Sequence, residues 1–118
     1  MGQPAGKFIN QPKAATIDRS HLARMTFGDR ALEREVLQLF NRQAELLLAR
    51  MRDGEASTVS TLAHTLKGSA ASIGAANVAQ AAATVEESTG ARERDMAVCS
   101  LAAAIDLARA EITKLLRD

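Results

Sequence analysis

The sequence predicts an all-α protein, an antiparallel up-and-down four-helix bundle with a short additional N-terminal helix. Three observations predict it. Apolar residues recur at three- and four-residue spacing through four long segments, the pattern of helices that each bury one stripe. The segments are separated by brief breaks at Gly28, Asp53-Gly54, Gly74 and Thr89-Gly90, residues that stop helices and turn chains. Such short connections make consecutive helices antiparallel neighbours. Finally, aromatic residues are 3% of the chain and Trp and Tyr are absent. The core must therefore come from Leu, Ile, Val, Met and Ala, which suits close-packed helices better than a sheet.

The 118 residues are enough for one domain with its own core. Residues 1–16 hold Gly2, Pro4, Gly6 and Pro12, with only Phe8 and Ile9 as large apolar residues. They are expected to form a flexible tail, and residues 17–118 the helical domain. The formal charge of +1 gives no reason to expect nucleic acid or an anionic membrane as partner. No apolar run approaches the ~18 residues of a membrane span, and no signal-peptide segment opens the chain. A single cysteine, Cys99, forms no internal disulfide, so a cytoplasmic setting is expected. A complete four-helix core makes a monomer the simplest assembly.

Taken in order, Asp18 is a good N-cap, and Ile17 before it is spaced to pack on Leu22. A short helix over about 18–25 follows, carrying His21, which is expected to be structural or merely exposed. Phe27-Gly28-Asp29 breaks the chain, and Asp29 can cap a second helix reaching about Arg52. Its stripe reads Leu32, Val36, Leu39, Phe40, Gln43, Leu47 and Met51. Its opposite face, with Arg30, Arg34, Gln38, Arg42, Glu45 and Arg52, reads as solvated. The third helix runs from about Glu55 or Ser57 to Ile73, with Val59, Leu62, Leu66 and Ile73 inward. Ser69 lies towards the core side and is expected to bond a backbone carbonyl of the preceding turn. Gly74 ends this helix. The fourth, about 76–88, turns Val78, Ala82 and Val85 inward, with Glu86 and Glu87 exposed or capping. Asp95 is the expected N-cap of the last helix, to about Leu116, with Val98, Leu101, Ile105 (or Ala104), Ala108, Ile112 and Leu115 as its stripe. Cys99, beside that stripe, reads as a small buried thiol.

The third helix carries the chemistry. At about 100° per residue, His64 points opposite to its apolar side. Ser57, Ser60, Thr61, Lys67, Gly68 and Ala71 lie within about 60° of His64. A single imidazole thus stands among small residues. An imidazole titrates near pH 6.5, so an exposed one is largely neutral at pH 7 and can act as a nucleophile. Lys67, one turn on, supplies a cation to stabilise a phosphoryl group carried by His64. Gly68 costs its helix about 1 kcal/mol relative to alanine, which suggests that a partner must approach closely there. A metal site is a poor reading, because no second His, Cys or carboxylate shares this front at ligand spacing. Hydrolysis is also poor, because no carboxylate on this helix is spaced to orient the ring. No Walker or kinase glycine loop is present, so no autonomous kinase or ATPase activity is expected.

The stretch His64-Thr65-Leu66-Lys67-Gly68-Ser69 resembles the signature of the histidine-containing phosphotransfer (HPt) domains of two-component relays. The resemblance extends to Gly74, the Val85-Glu86 pair and the helix start from Asp29 to Phe40, covering about residues 17–116. It implies the same bundle and a phosphorelay carrier. His64 would take a phosphoryl group from a receiver-domain aspartate, or from a sensor (hybrid) histidine kinase system, and pass it to another receiver. Lys67 would offset the phosphoryl charge, and Gly68 would allow close approach. Ser57, Ser60, Thr61 and Ala71 are candidate docking positions on the same face, and Leu22, Met25 and Phe27 on its flank. No cofactor is expected in this chain, and Mg²⁺ is expected in the receiver. The alternative function is an interaction module that binds and inhibits a receiver or kinase without turnover.

Overall fold

The protein is described by a computed structural model that covers residues 16–117; the expected tail falls almost wholly outside them. The helices in chain order are α1 (Arg19–Met25), α2 (Arg30–Asp53), α3 (Ala56–Ser72), α4 (Ala76–Glu87) and α5 (Ala91–Arg117). No strand occurs among the described residues. Each long helix packs on its neighbour in sequence, and α2 closes the ring against α5. This is the expected bundle, with α1 as the short extra helix.

The core is aliphatic. The expected inward stripes of α3, α4 and α5 are buried, Val59, Leu66, Val78, Leu101 and Ile112 among them. Burying each large side chain contributes about 1.5–3 kcal/mol. Ala44, Ala63, Ala70, Ala82 and Ala108 are fully buried too, and these small residues let the helix axes approach.

The phase of α2 differs from expectation. Its buried residues are Leu37, Phe40, Ala44, Leu47, Leu48 and Met51. Leu39 is 53% exposed, and Leu32, Val36 and Gln43 are only half-buried. The buried arc is turned by roughly 70° from the expected one. With Leu at 37, 39, 46, 47 and 48, several arcs are equally apolar, and contact with both α3 and α5 selects among them. Arg34 is correspondingly half-buried, and its guanidinium donates to the Leu116 carbonyl. There it meets the unpaired carbonyls and negative dipole end of α5.

Two expectations for α5 fail together. The helix starts at Ala91, after Gly90 at φ +87°, so Asp95 is an exposed residue of the second turn and not a cap. The Thr89 hydroxyl instead donates to Glu93 at 3.3 Å. Cys99 is exposed and not buried: it lies one residue round from Val98, off the buried arc. Ser69 also departs from expectation. The α3 hydroxyls that bond back to carbonyls are Thr61, Thr65 and Ser72; Ser69 makes no such bond.

The N-terminal side is stitched to one corner of the bundle. Asp18 caps α1 by accepting from the His21 N–H at 3.1 Å. Ile17 and Leu22 are each 1% exposed, the expected staple. The Asp18 N–H donates to the Gly74 carbonyl at 2.8 Å, and His21 Nε2 donates to the Ser72 carbonyl at 3.0 Å. A carbonyl only accepts, so Nε2 carries the proton. His21 therefore holds the end of α3 in place, a structural role.

Candidate functional site

His64 sits mid-way along α3 because Val59, Leu62 and Leu66 bind the opposite side of the helix to the core. Its side chain is 67% exposed. Lys67 is half-buried, and Gly68 and Ala71 are exposed on the same ridge. A Cβ added at Gly68 would meet nothing within 4 Å. Nothing inside the protein requires a glycine there, so the ridge beside the ring is lower than the fold needs. Ser57 and Thr61 are exposed and Ser60 is half-buried, continuing the small-residue front towards the start of α3.

The residue that sequence reasoning missed is Glu86. It comes from α4 and touches both candidate side chains, His64 and Lys67. Its Oε2 lies 2.8 Å from His64 Nδ1, and its Oε1 lies 2.9 Å from Lys67 Nζ. Its side chain is 26% exposed. The hydrogen bond from Lys67, then that from His64, holds its carboxyl below the usual glutamate range. Glu86 is therefore an ionised, acceptor-only group at neutral pH, and Nδ1 must be the donor. A neutral ring held in that tautomer carries its lone pair on Nε2, the nitrogen farther from the backbone. Among the described residues, no side chain hydrogen-bonds Nε2.

The geometry changes one argument made from sequence. No carboxylate on α3 orients the imidazole, yet one on α4 does. A hydrolytic triad also needs a hydroxyl on the other ring nitrogen, and none is bonded there. The third member here is a lysine, so the site presents a nucleophilic nitrogen beside a cation. Among the described residues no three His, Cys, Asp or Glu side chains form a cluster able to hold a metal ion.

The flanking candidates divide. Leu22 is buried in the core at 1% exposure, which removes it from any docking surface: it is the residue that seats α1. Met25 is 40% and Phe27 89% exposed, with Phe27 at φ +55°, a backbone region uncommon for a bulky residue. Next to them runs an apolar cleft lined by Met25, Val36, Leu39, Phe40, Ser69 and Ser72.

An exposed imidazole, held by a carboxylate and flanked by a lysine, thus stands on the outside of an all-helical bundle. The Hpt domain family model matches residues 33–117, and the chain belongs to the Hpt domain family. Searches of curated proteins and of solved structures return no match. Hpt domains carry phosphoryl groups in two-component signalling and interact with receiver domains and kinases. No helix among the described residues is long and apolar enough to cross a membrane.

Proposed function

We propose that the chain is a phosphorelay carrier whose phosphoacceptor is Nε2 of His64. The observation that carries this reading is the Glu86–His64 contact, which leaves the lone pair on the outward nitrogen. The donor is the acyl phosphate of a receiver-domain aspartate or a hybrid kinase system. The Nε2 lone pair forms the N–P bond as the P–O bond to the aspartate breaks, and that electron pair returns to the carboxylate oxygen. The ring gains positive charge, its Nδ1 proton stays in place, and Glu86 lies against that charge. Lys67 stands within one turn to offset the phosphoryl oxygens. Transfer to a second receiver is the reverse of this step.

The bundle contributes position and exposure, and the receiver contributes Mg²⁺ and most of the electrostatics. The receiver seats over Gly68 and Ala71, with Ser57, Ser60 and Thr61 on one side and Met25 and Phe27 on the other. The open space above Gly68 supports this placement. The carrier works as a monomer in the cytoplasm and holds no cofactor of its own.

A panel of phosphorylated receiver domains offered to wild type and His64→Gln tests the reading. Acid-labile, base-stable label on the wild type alone is expected. Receiver binding without label would favour the inhibitory module instead.

A further inference from the structure

The two oxygens of Glu86 are committed to different partners, one to the ring and one to the lysine. Lys67 is therefore not a free cation waiting for phosphate. In the unphosphorylated protein a neighbouring anion already occupies it. A phosphoryl group on His64 Nε2 would bring a second anion to the same lysine. Lys67 then has two competing acceptors, of which Glu86 is the one built into the fold.

The geometry points to Glu86 as a positioning residue that also acts as a charge brake on the carrier: it shares Lys67 with the phosphoryl group and keeps the phosphohistidine short-lived and ready to donate. This rests on the phosphocarrier reading of His64. Two consequences of one negative charge act in the same direction. Glu86 divides the cation that would otherwise settle on the phosphoryl oxygens, and it repels those oxygens itself. Its contact with Nδ1–H also keeps that proton on the phosphorylated ring, so the ring leaves phosphorus as neutral imidazole and not as the poorer leaving group imidazolate. Both favour departure of the phosphoryl group. A neutral amide at this position would hold the ring by the same hydrogen bond yet remove the charge.

The placement follows from the chain. His64 and Glu86 are each eleven residues from Ala75, on either side of the α3–α4 corner. In an antiparallel hairpin folded there they come level. Ala79 and Ala83 precede Glu86 on the same face of α4, spaced by four and three residues, and line one groove with Lys67 and Ala71. The two α4 residues one and two turns before the carboxylate on its own side of the helix are thus alanines, and Glu86 reaches both His64 and Lys67 on α3.

The test uses the full chain and phosphoramidate as a small phosphodonor, which loses ammonia as His64 gains the phosphoryl group. Wild type, Glu86→Gln, Glu86→Ala and Glu86→Asp are labelled, freed of donor, and followed for the decay of phosphohistidine. Nitrogen NMR of the unphosphorylated proteins reports the ring tautomer. Glu86→Gln is expected to keep the Nδ1–H tautomer while lengthening the phosphohistidine lifetime about three- to fivefold, the effect of one charge a few ångströms away in a wet site. Glu86→Asp should restore a short lifetime if its shorter arm still meets Lys67. Glu86→Ala should lose the tautomer preference as well. A wild-type lifetime in Glu86→Gln with the tautomer retained would overturn the brake, and so would failure of phosphoramidate to label His64 in the wild type. A normal difference between these lifetimes, with no receiver able to donate to the wild type, would leave the brake standing and overturn the relay reading instead.

Discussion

Two glycines six residues apart on and after α3 occupy opposite situations. At Gly74, φ is +81°, and an added Cβ would lie 2.8 Å from the Asp18 carbonyl oxygen. The corner is closed around it, and the N-terminal segment is hydrogen-bonded to its carbonyl. At Gly68 the backbone is ordinary helix and an added Cβ would touch nothing within 4 Å. The first glycine is required by the fold. The second costs the helix about 1 kcal/mol and gains nothing inside the chain. A destabilising residue that the fold does not need points outside the fold, and in the proposed function it is the close approach of a partner to His64.

The sharpest way to break this comparison is to substitute both positions. Gly74→Val should lower stability by about 2–4 kcal/mol, through the left-handed backbone and the clash with Asp18. Chemical denaturation measures it, and a loss below about 1 kcal/mol would mean that the corner is not closed as described. Gly68→Gln should leave stability unchanged or raise it by up to about 1 kcal/mol, yet slow phosphoryl transfer from a receiver at least tenfold. Melting and transfer assays run side by side decide it. Full transfer in Gly68→Gln would remove the case for close approach.

The same contrast between inner and outer demands explains what was legible in the sequence. Burial writes a strong period, so the inward faces of α3, α4 and α5 and the outward direction of His64 could be read directly. Where apolar residues are plentiful the period is ambiguous. The leucines of α2 permit several phases, and Leu39 was read inward although Leu37 is the buried one. Asp95 looked like a cap because Asp is a strong N-cap residue, yet the helix begins directly after the turn at Gly90. Leu22 could be paired with Ile17 by spacing, but whether the pair faced core or partner depended on how α1 closes over the α3–α4 corner. Glu86 was missed because its partners His64 and Lys67 lie on the preceding helix, 22 residues away in the case of His64. A signal existed: folding the chain at Gly74-Ala75 brings positions 64 and 86 level. Cys99 was read as buried because it neighbours the stripe of α5, and one residue is 100° of helix.

Smaller effects sharpen the front of α3. Lys67→Ala should leave the melting transition nearly unchanged, since the pair it breaks is partly exposed. It should weaken transfer by several-fold, and wild-type transfer rates would show the cation to be incidental. The carboxyl of Glu86 lies below its usual range because Lys67 and then His64 bond to it. A carboxylate whose folded-state value is lowered adds stability above its unfolded value and loses it as pH falls through the folded one. Any stability difference between wild type and Glu86→Gln should therefore be present at neutral pH and fade on acidification through and below the ordinary glutamate range. A difference that does not change with pH would contradict the ion pair.

The central claim is that His64, and no other residue, carries the phosphoryl group. Its most direct measurement is mass-spectrometric mapping of the phosphoryl label after transfer from a phosphorylated receiver, under conditions that preserve phosphohistidine. The account predicts label on His64 in the wild type and none on His64→Gln. Label on His21, or on the His64→Gln protein at the wild-type level, would contradict it.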